Sequence, residues 1–159
     1  GYKDNLTNAL PVARTHGVPM TIFVTSGITD PFFSFPWDKE YGNDKAAYMS
    51  EENMKRITED TLVSIEAHTR THPRLRNLDK EGQKMEIASS KATFLAYPYG
   101  GLLDFNDTSK RVAKEAGFEA AFATRDRIIT PDSDLYALPR INVRDWSGQE
   151  LLDRIRQYL

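Results

Sequence analysis

The sequence contains no cysteine. Disulfide staples, thiolate metal sites and cysteine nucleophiles are therefore excluded, and the compartment stays open. A basic excess is missing too: 21 Lys and Arg face 23 Asp and Glu, for a formal net charge of −2. Nucleic-acid binders usually carry a basic surplus, so no nucleic-acid partner is expected. No stretch approaches the roughly 18–20 consecutive apolar residues that a membrane span needs, so none is expected here. Internal repeats, low-complexity tracts and charge blocks are absent as well. The sequence opens at Gly1-Tyr2 with neither Met nor a signal-peptide pattern, as a processed chain or a piece of a longer protein does.

What is there is 159 residues of ordinary globular composition, 40% hydrophobic and 28% charged. That suffices for one domain, 1–159, with a real core. Helical and strand signals alternate along it. Leu6, Ala9, Leu10 and Ala13 stand at helical spacing within residues 4–15, and Gly17 is a plausible stop. Strands are predicted at residues 20–24, 62–67, 94–97, 120–123 and 138–143. Helices are predicted at 51–58, 78–91, 106–116 and 147–159, with Ser50 and Ser147 as N-caps. Residues 26–50, with Phe32, Phe33, Phe35, Trp37 and Tyr41, lack periodicity and read as a long loop. The helix ending near Lys91 meets the strand at Phe94 with almost no connection, so residues are expected to be missing around 91–93.

Alternating β and α units imply an α/β fold with a mostly parallel sheet, either doubly wound and open or a (β/α) barrel. In both, functional residues collect at the C-terminal ends of strands. That rule points to residues 25–37, 68–72 and 98–101. Two of only three histidines lie in His68-Thr69-Arg70-Thr71-His72. Two His four apart at a strand end can converge on one divalent cation; a polar loop with two surface histidines is the plain alternative. A zincin site fits poorly, because Thr69 stands where its Glu belongs and Pro73 breaks any helix. His16, near a helix end, reads as structural.

Tyr97-Pro98-Tyr99-Gly100-Gly101 forms a rigid turn at a strand end. Such a turn can present a backbone N–H to an oxyanion, or it can be an ordinary β-to-α turn. The loop aromatics, Trp37 among them, can stack on sugar faces or pack beneath their own loop. Arg140 points into a site or pairs on the surface.

Taken together, Gly1-Tyr2, Gly17 to Val24, His68 to Pro73, Tyr97-Pro98-Tyr99-Gly100 and Gly117-Phe118 resemble the polysaccharide deacetylases. These are the NodB-homology or carbohydrate esterase 4 group. Leu138-Pro139-Arg140 is similar to the branch whose third motif reads Tyr-Pro-Tyr-Gly. The resemblance implies a deformed (β/α)7, TIM-like barrel, here without its first strand. It implies metal-dependent hydrolysis of an N- or O-acetyl group on a glycan. By it, His68 and His72 are metal ligands for a divalent cation, Zn²⁺ first among the candidates. The third ligand and the base are an Asp-Asp pair directly upstream of Gly1. The Tyr99 N–H is the oxyanion donor, Arg140 is a further catalytic group, and Tyr97, Pro98, Gly100 and Trp37 line the substrate site.

Two departures stand out. Many members have Arg where Ala96 stands, and no histidine follows His72 to serve as the late acid. The same fold therefore leaves room for a degenerate carbohydrate-binding domain or a hydrolase of a cyclic amide. The family's usual substrates also imply an extracellular, periplasmic or cell-surface setting.

Overall fold

A computed structural model describes residues 1–40, 42, 47–88 and 92–158. Four strands carry the fold: β1 (Met20–Val24), β2 (Val63–Ala67), β3 (Phe94–Ala96) and β4 (Ala120–Phe122). They are all parallel, in the order β1-β2-β3-β4. Helix α1 (Leu10–His16) precedes β1, and the crossover segments that join the strands include the helices α2 (Pro36–Glu40), α3 (Glu51–Ile57), α4 (Lys80–Ile87) and α5 (Asp107–Glu115). A last helix, α6 (Gly148–Arg156), closes the described chain. Among the described residues, no helix is long and apolar enough to cross a membrane.

The sheet is curled. Adjacent strands lie about 4.8 Å apart, so β1 and β4 would stand about 14 Å apart in a flat sheet. Yet the rings of Phe23 on β1 and Phe122 on β4 have centroids 5.6 Å apart. Strand tilt and closure of this kind make a barrel wall, and the fold is a partial α/β barrel. Period-2 alternation puts Ser64, Glu66 and then His68 on the same face as Phe23 and Phe122. The other face and its helices hold the apolar core, where Leu75, Ile87, Leu95, Val112, Ala113 and Ala121 are each at most 1% exposed.

Local chemistry explains the element ends. Gly17 adopts φ 62° and takes its N–H to the carbonyls of Ala13 and Arg14, which ends α1. Ser50, Asn106 and Ser147 each form a capping box, opening α3, α5 and α6. Asp79 caps α4 through the Gly82 N–H, so this helix starts at Lys80 and not at residue 78. Buried Glu66 accepts a hydrogen bond from the Phe94 N–H at 2.8 Å, which also fixes the start of β3.

Two expectations are corrected. No strand spans residues 138–143; only isolated bridges form, at Leu138 with Phe122 and at Arg140 with Arg125. Pro139 has no N–H to extend the ladder. The stretch 26–50 is not one irregular loop either, since Ser26–Thr29 is a 3₁₀ turn and Pro36–Glu40 a helix. Pro36 at the first helical position is preset for that helix. Of the suspect junction, Ser89, Ser90 and Lys91 lie outside the described residues, as does Tyr41.

Candidate active site

The site sits at the C-terminal ends of the strands, on the inner face of the sheet. His68 follows β2 by one residue, and its N–H bonds the Val24 carbonyl. Its ring Nδ1 lies 2.7 Å from the Ala96 carbonyl oxygen. A carbonyl only accepts, so Nδ1 carries the proton and Nε2 keeps a free lone pair. Burial pushes the imidazole down to about 3, with the neighbouring His72 second in effect. Burial lowers His72 as well. Both rings are thus neutral near pH 7, the state that binds a cation.

The two rings lie 4.7 Å apart at 76°. His72 makes no counterpart to the Ala96 bond: its Nδ1 is buried and has no partner among the described residues. An orphaned buried nitrogen costs about 1–3 kcal/mol unless something occupies it. Two neutral imidazoles with uncommitted lone pairs, one fixed by an outer carbonyl, fit a divalent cation such as Zn²⁺. Among the described residues no cluster of three or more His, Cys, Asp or Glu exists that could complete such a site.

The loop that holds the pair is over-determined. Thr69 and His72 both have φ 64°, a left-handed conformation that non-glycine residues rarely take. The strain is held by a ring of hydrogen bonds. Glu86 of α4 accepts from the N–H groups of Arg70 and Thr71, and from the Thr71 hydroxyl. The Thr69 hydroxyl accepts from the His72 N–H. On the other side, Ser26 and Gly27 donate to the carbonyls of Thr69 and Arg70. Gly27 is required there, because a Cβ would sit 2.5 Å from the Arg70 oxygen. Nothing in the sequence pattern singled out Glu86, which is one residue of an ordinary amphipathic helix. Glu86→Gln should weaken metal binding about tenfold and lower stability by about 1–3 kcal/mol. Calorimetric titration with Zn²⁺ beside a thermal melt checks both.

Tyr99 faces this pair. Its ring lies 4.8 Å from that of His72, with the Arg74 guanidinium 4.3 Å above its centroid. Arg74 in turn pairs with buried Asp104, which also accepts from the Gly101 N–H at 2.8 Å. Asp104 thereby ties the segment after His72 to the turn after β3. Tyr99 has φ 59°, and Gly100 closes back on the Pro98 carbonyl at 2.6 Å. The turn leaves the Tyr99 N–H without a partner among the described residues. Such a group is free to meet a developing oxyanion.

Trp37 also reaches the site, its ring 4.9 Å from His72 and 6.3 Å from Tyr99. Arg140 points inward: its Nε donates to the Ala123 carbonyl, and its guanidinium lies over Phe23 and Phe122. Its charge also bears on His68, and burial lowers its own pKa.

Tyr97 is a correction. It is 1% exposed, stacks on Phe105 and donates its hydroxyl to the Tyr136 carbonyl. Its side chain belongs to the core and cannot line a substrate site. Pro98 and Gly100 are buried too, and shape the Tyr99 turn.

The parallel, curled α/β sheet thus carries a paired-His loop at its C-terminal rim. Residues 1–121 match the sequence profile of the polysaccharide deacetylases, and the chain belongs to that family. YxkH of Bacillus subtilis (strain 168), assigned to the polysaccharide deacetylases, is 29% identical over 153 residues. That alignment takes in 90% of this chain and 48% of the relative. The poly-beta-1,6-N-acetyl-D-glucosamine N-deacetylase of Staphylococcus aureus (strain MSSA476) is 26% identical over 168 residues, covering 92% and 53%. The chain spans about half the length of these curated relatives. In fold it is similar to the Streptococcus pyogenes deacetylase PplD, solved in complex with acetate, with a TM-score of 0.79 at 23% identity. That similarity covers 96% of this chain and 66% of the other, and the fold is of the NodB type.

Proposed function

We propose that the full-length protein removes acetyl groups from an N- or O-acetylated glycan with the help of a divalent cation, most simply Zn²⁺. The observation that carries this is the paired imidazoles: His68 locked by the Ala96 carbonyl, His72 beside it with a buried, uncommitted nitrogen. A cation held by His68 and His72 would supply Lewis acidity and an activated water.

The chain's own groups do the rest. Tyr99 donates its N–H to the acetyl oxygen as negative charge develops on it. Arg140 adds a positive charge on the inner face, beside His68. Trp37 and the Tyr99 ring, which is 44% exposed, form an aromatic wall against which a sugar ring can lie. By the family resemblance, an Asp-Asp pair beside the His68 and His72 imidazoles would supply a further ligand and a base. The S. aureus relative's named substrate, poly-β-1,6-N-acetyl-D-glucosamine, makes that polymer the first to try.

The test is acetate release from β-1,6-linked N-acetylglucosamine oligomers before and after chelation. Turnover should vanish with the metal and return with Zn²⁺. Glycan binding that persists without metal, with no acetate formed under any condition, would identify a binding domain and overturn the hydrolytic reading.

A further inference from the structure

His68 is oriented by a hydrogen bond, but His72 is not. Its ring plane is set by packing alone. Phe35, Trp37, Tyr99 and His68 surround it, each within 5.6 Å and each at 71–79° to it. Edge-to-face contacts of this kind contribute roughly 0.5–1.5 kcal/mol each, so the cage is only as firm as its members.

Trp37 is the member with a polar anchor. Its indole stacks on Phe35 at 4.5 Å and 9°, and its Nε1–H donates to the Tyr2 hydroxyl at 2.7 Å. Tyr2 donates in turn to Asp38 Oδ1 at 2.8 Å. The other carboxylate oxygen accepts from Tyr48, whose hydroxyl also takes the Phe35 N–H. Asp38 is 4% exposed and makes no ion pair among the described residues. A buried carboxylate without a cation is expensive to keep. Two phenols satisfy this one, and they come from segments 36 and 10 residues away in the chain. Burial and the carboxylate raise both phenols, so they remain donors at any ordinary pH.

We infer that Asp38 is a positioning residue of the metal site, holding Trp37 against His72 through the Tyr2 hydroxyl. The inference rests on the reading of His68 and His72 as metal ligands. Without the carboxylate, Tyr2 loses its acceptor, the indole loses its anchor, and the His72 ring is free to turn its lone pair away. Outer partners of metal-binding histidines typically control about 10–100-fold in affinity.

Titration of the full-length protein with Co²⁺ alone, and by Zn²⁺ competition, tests this. Asp38→Asn and Tyr2→Phe should each raise the dissociation constant about tenfold or more. Asp38→Asn should have no further effect in a Trp37→Phe background, because the two act through one contact. Glu66→Gln, a buried carboxylate that serves β3, should lower the melting temperature without changing affinity. Unchanged affinity in Asp38→Asn and Tyr2→Phe overturns the inference, as does an Asp38 effect that adds in full to that of Trp37. If Asp38→Asn does not fold, Tyr2→Phe decides alone. A wild-type protein that binds neither ion overturns the metal reading itself, and this inference with it.

Discussion

His72→Ala in the full-length protein is expected to abolish stoichiometric metal and cut acetate release by about 10³-fold or more, with little change in fold. Catalytic zinc sites ordinarily use three protein ligands, so losing one of a pair leaves too few to hold the ion. Metal stabilisation of developing charge amounts to several kcal/mol, and each 1.4 kcal/mol or so is tenfold in rate. The fold should survive because the His72 side chain donates and accepts no hydrogen bond among the described residues; its Nδ1 is the orphan. His68→Ala is a harsher change, since it also strips the Ala96 carbonyl of its donor. Elemental analysis beside a thermal melt separates the two effects. Retained metal and turnover in His72→Ala would remove the histidine from the site.

Gly100→Ala should be nearly as damaging to turnover, by a different route. Gly100 sits at φ 73°, where a side chain is strained. A Cβ there would lie 2.5 Å from Thr124 Oγ1 and 2.8 Å from the Thr124 backbone nitrogen. That nitrogen donates to the Gly100 carbonyl at 2.8 Å, so the turn and the residues after β4 cannot simply part. The turn must shift, and the Tyr99 N–H shifts with it. Loss of one oxyanion donor costs about 10²–10³ in kcat. Metal content should hold, because His68 and His72 sit on another loop, while the Tyr99 ring moves with the turn and KM rises by a smaller factor than kcat falls. A fall in KM-related binding with normal kcat would show that the turn shapes substrate affinity and not the reacting oxygen.

The parts of this fold that local chemistry writes were legible. The strands at 20–24, 62–67, 94–97 and 120–123 stand within a residue or so of β1 to β4, because apolar β-rich runs bounded by Gly and Pro leave little choice. Ser50 and Ser147 cap the helices they precede. The paired histidines were legible as a pair, since a strand end followed by proline fixes where they emerge. Long-range polar contacts were not. Glu86, Asp104 and Asp38 act through partners 10 to 36 residues away, and no spacing rule encodes such pairings. Tyr97 and Tyr99 differ by two positions and belong to one motif, yet one is locked in the core and the other faces the histidines. Strand alternation would give both the same face; the left-handed Tyr99 breaks that alternation and turns its ring outward. The aromatic residues of 32–37 were ambiguous between packing and binding. Phe35 packs beneath its segment at 3% exposure, while Trp37 stacks on Phe35 and also reaches the His72 ring.

The central claim is that His68 and His72 hold a divalent cation. X-ray absorption at the zinc edge of the purified full-length protein measures this without reference to any substrate. The account predicts one zinc per chain with two imidazole nitrogens at about 2.0–2.1 Å and oxygen in the remaining positions. A zinc shell without imidazole, or one unchanged by His72→Ala, would contradict it.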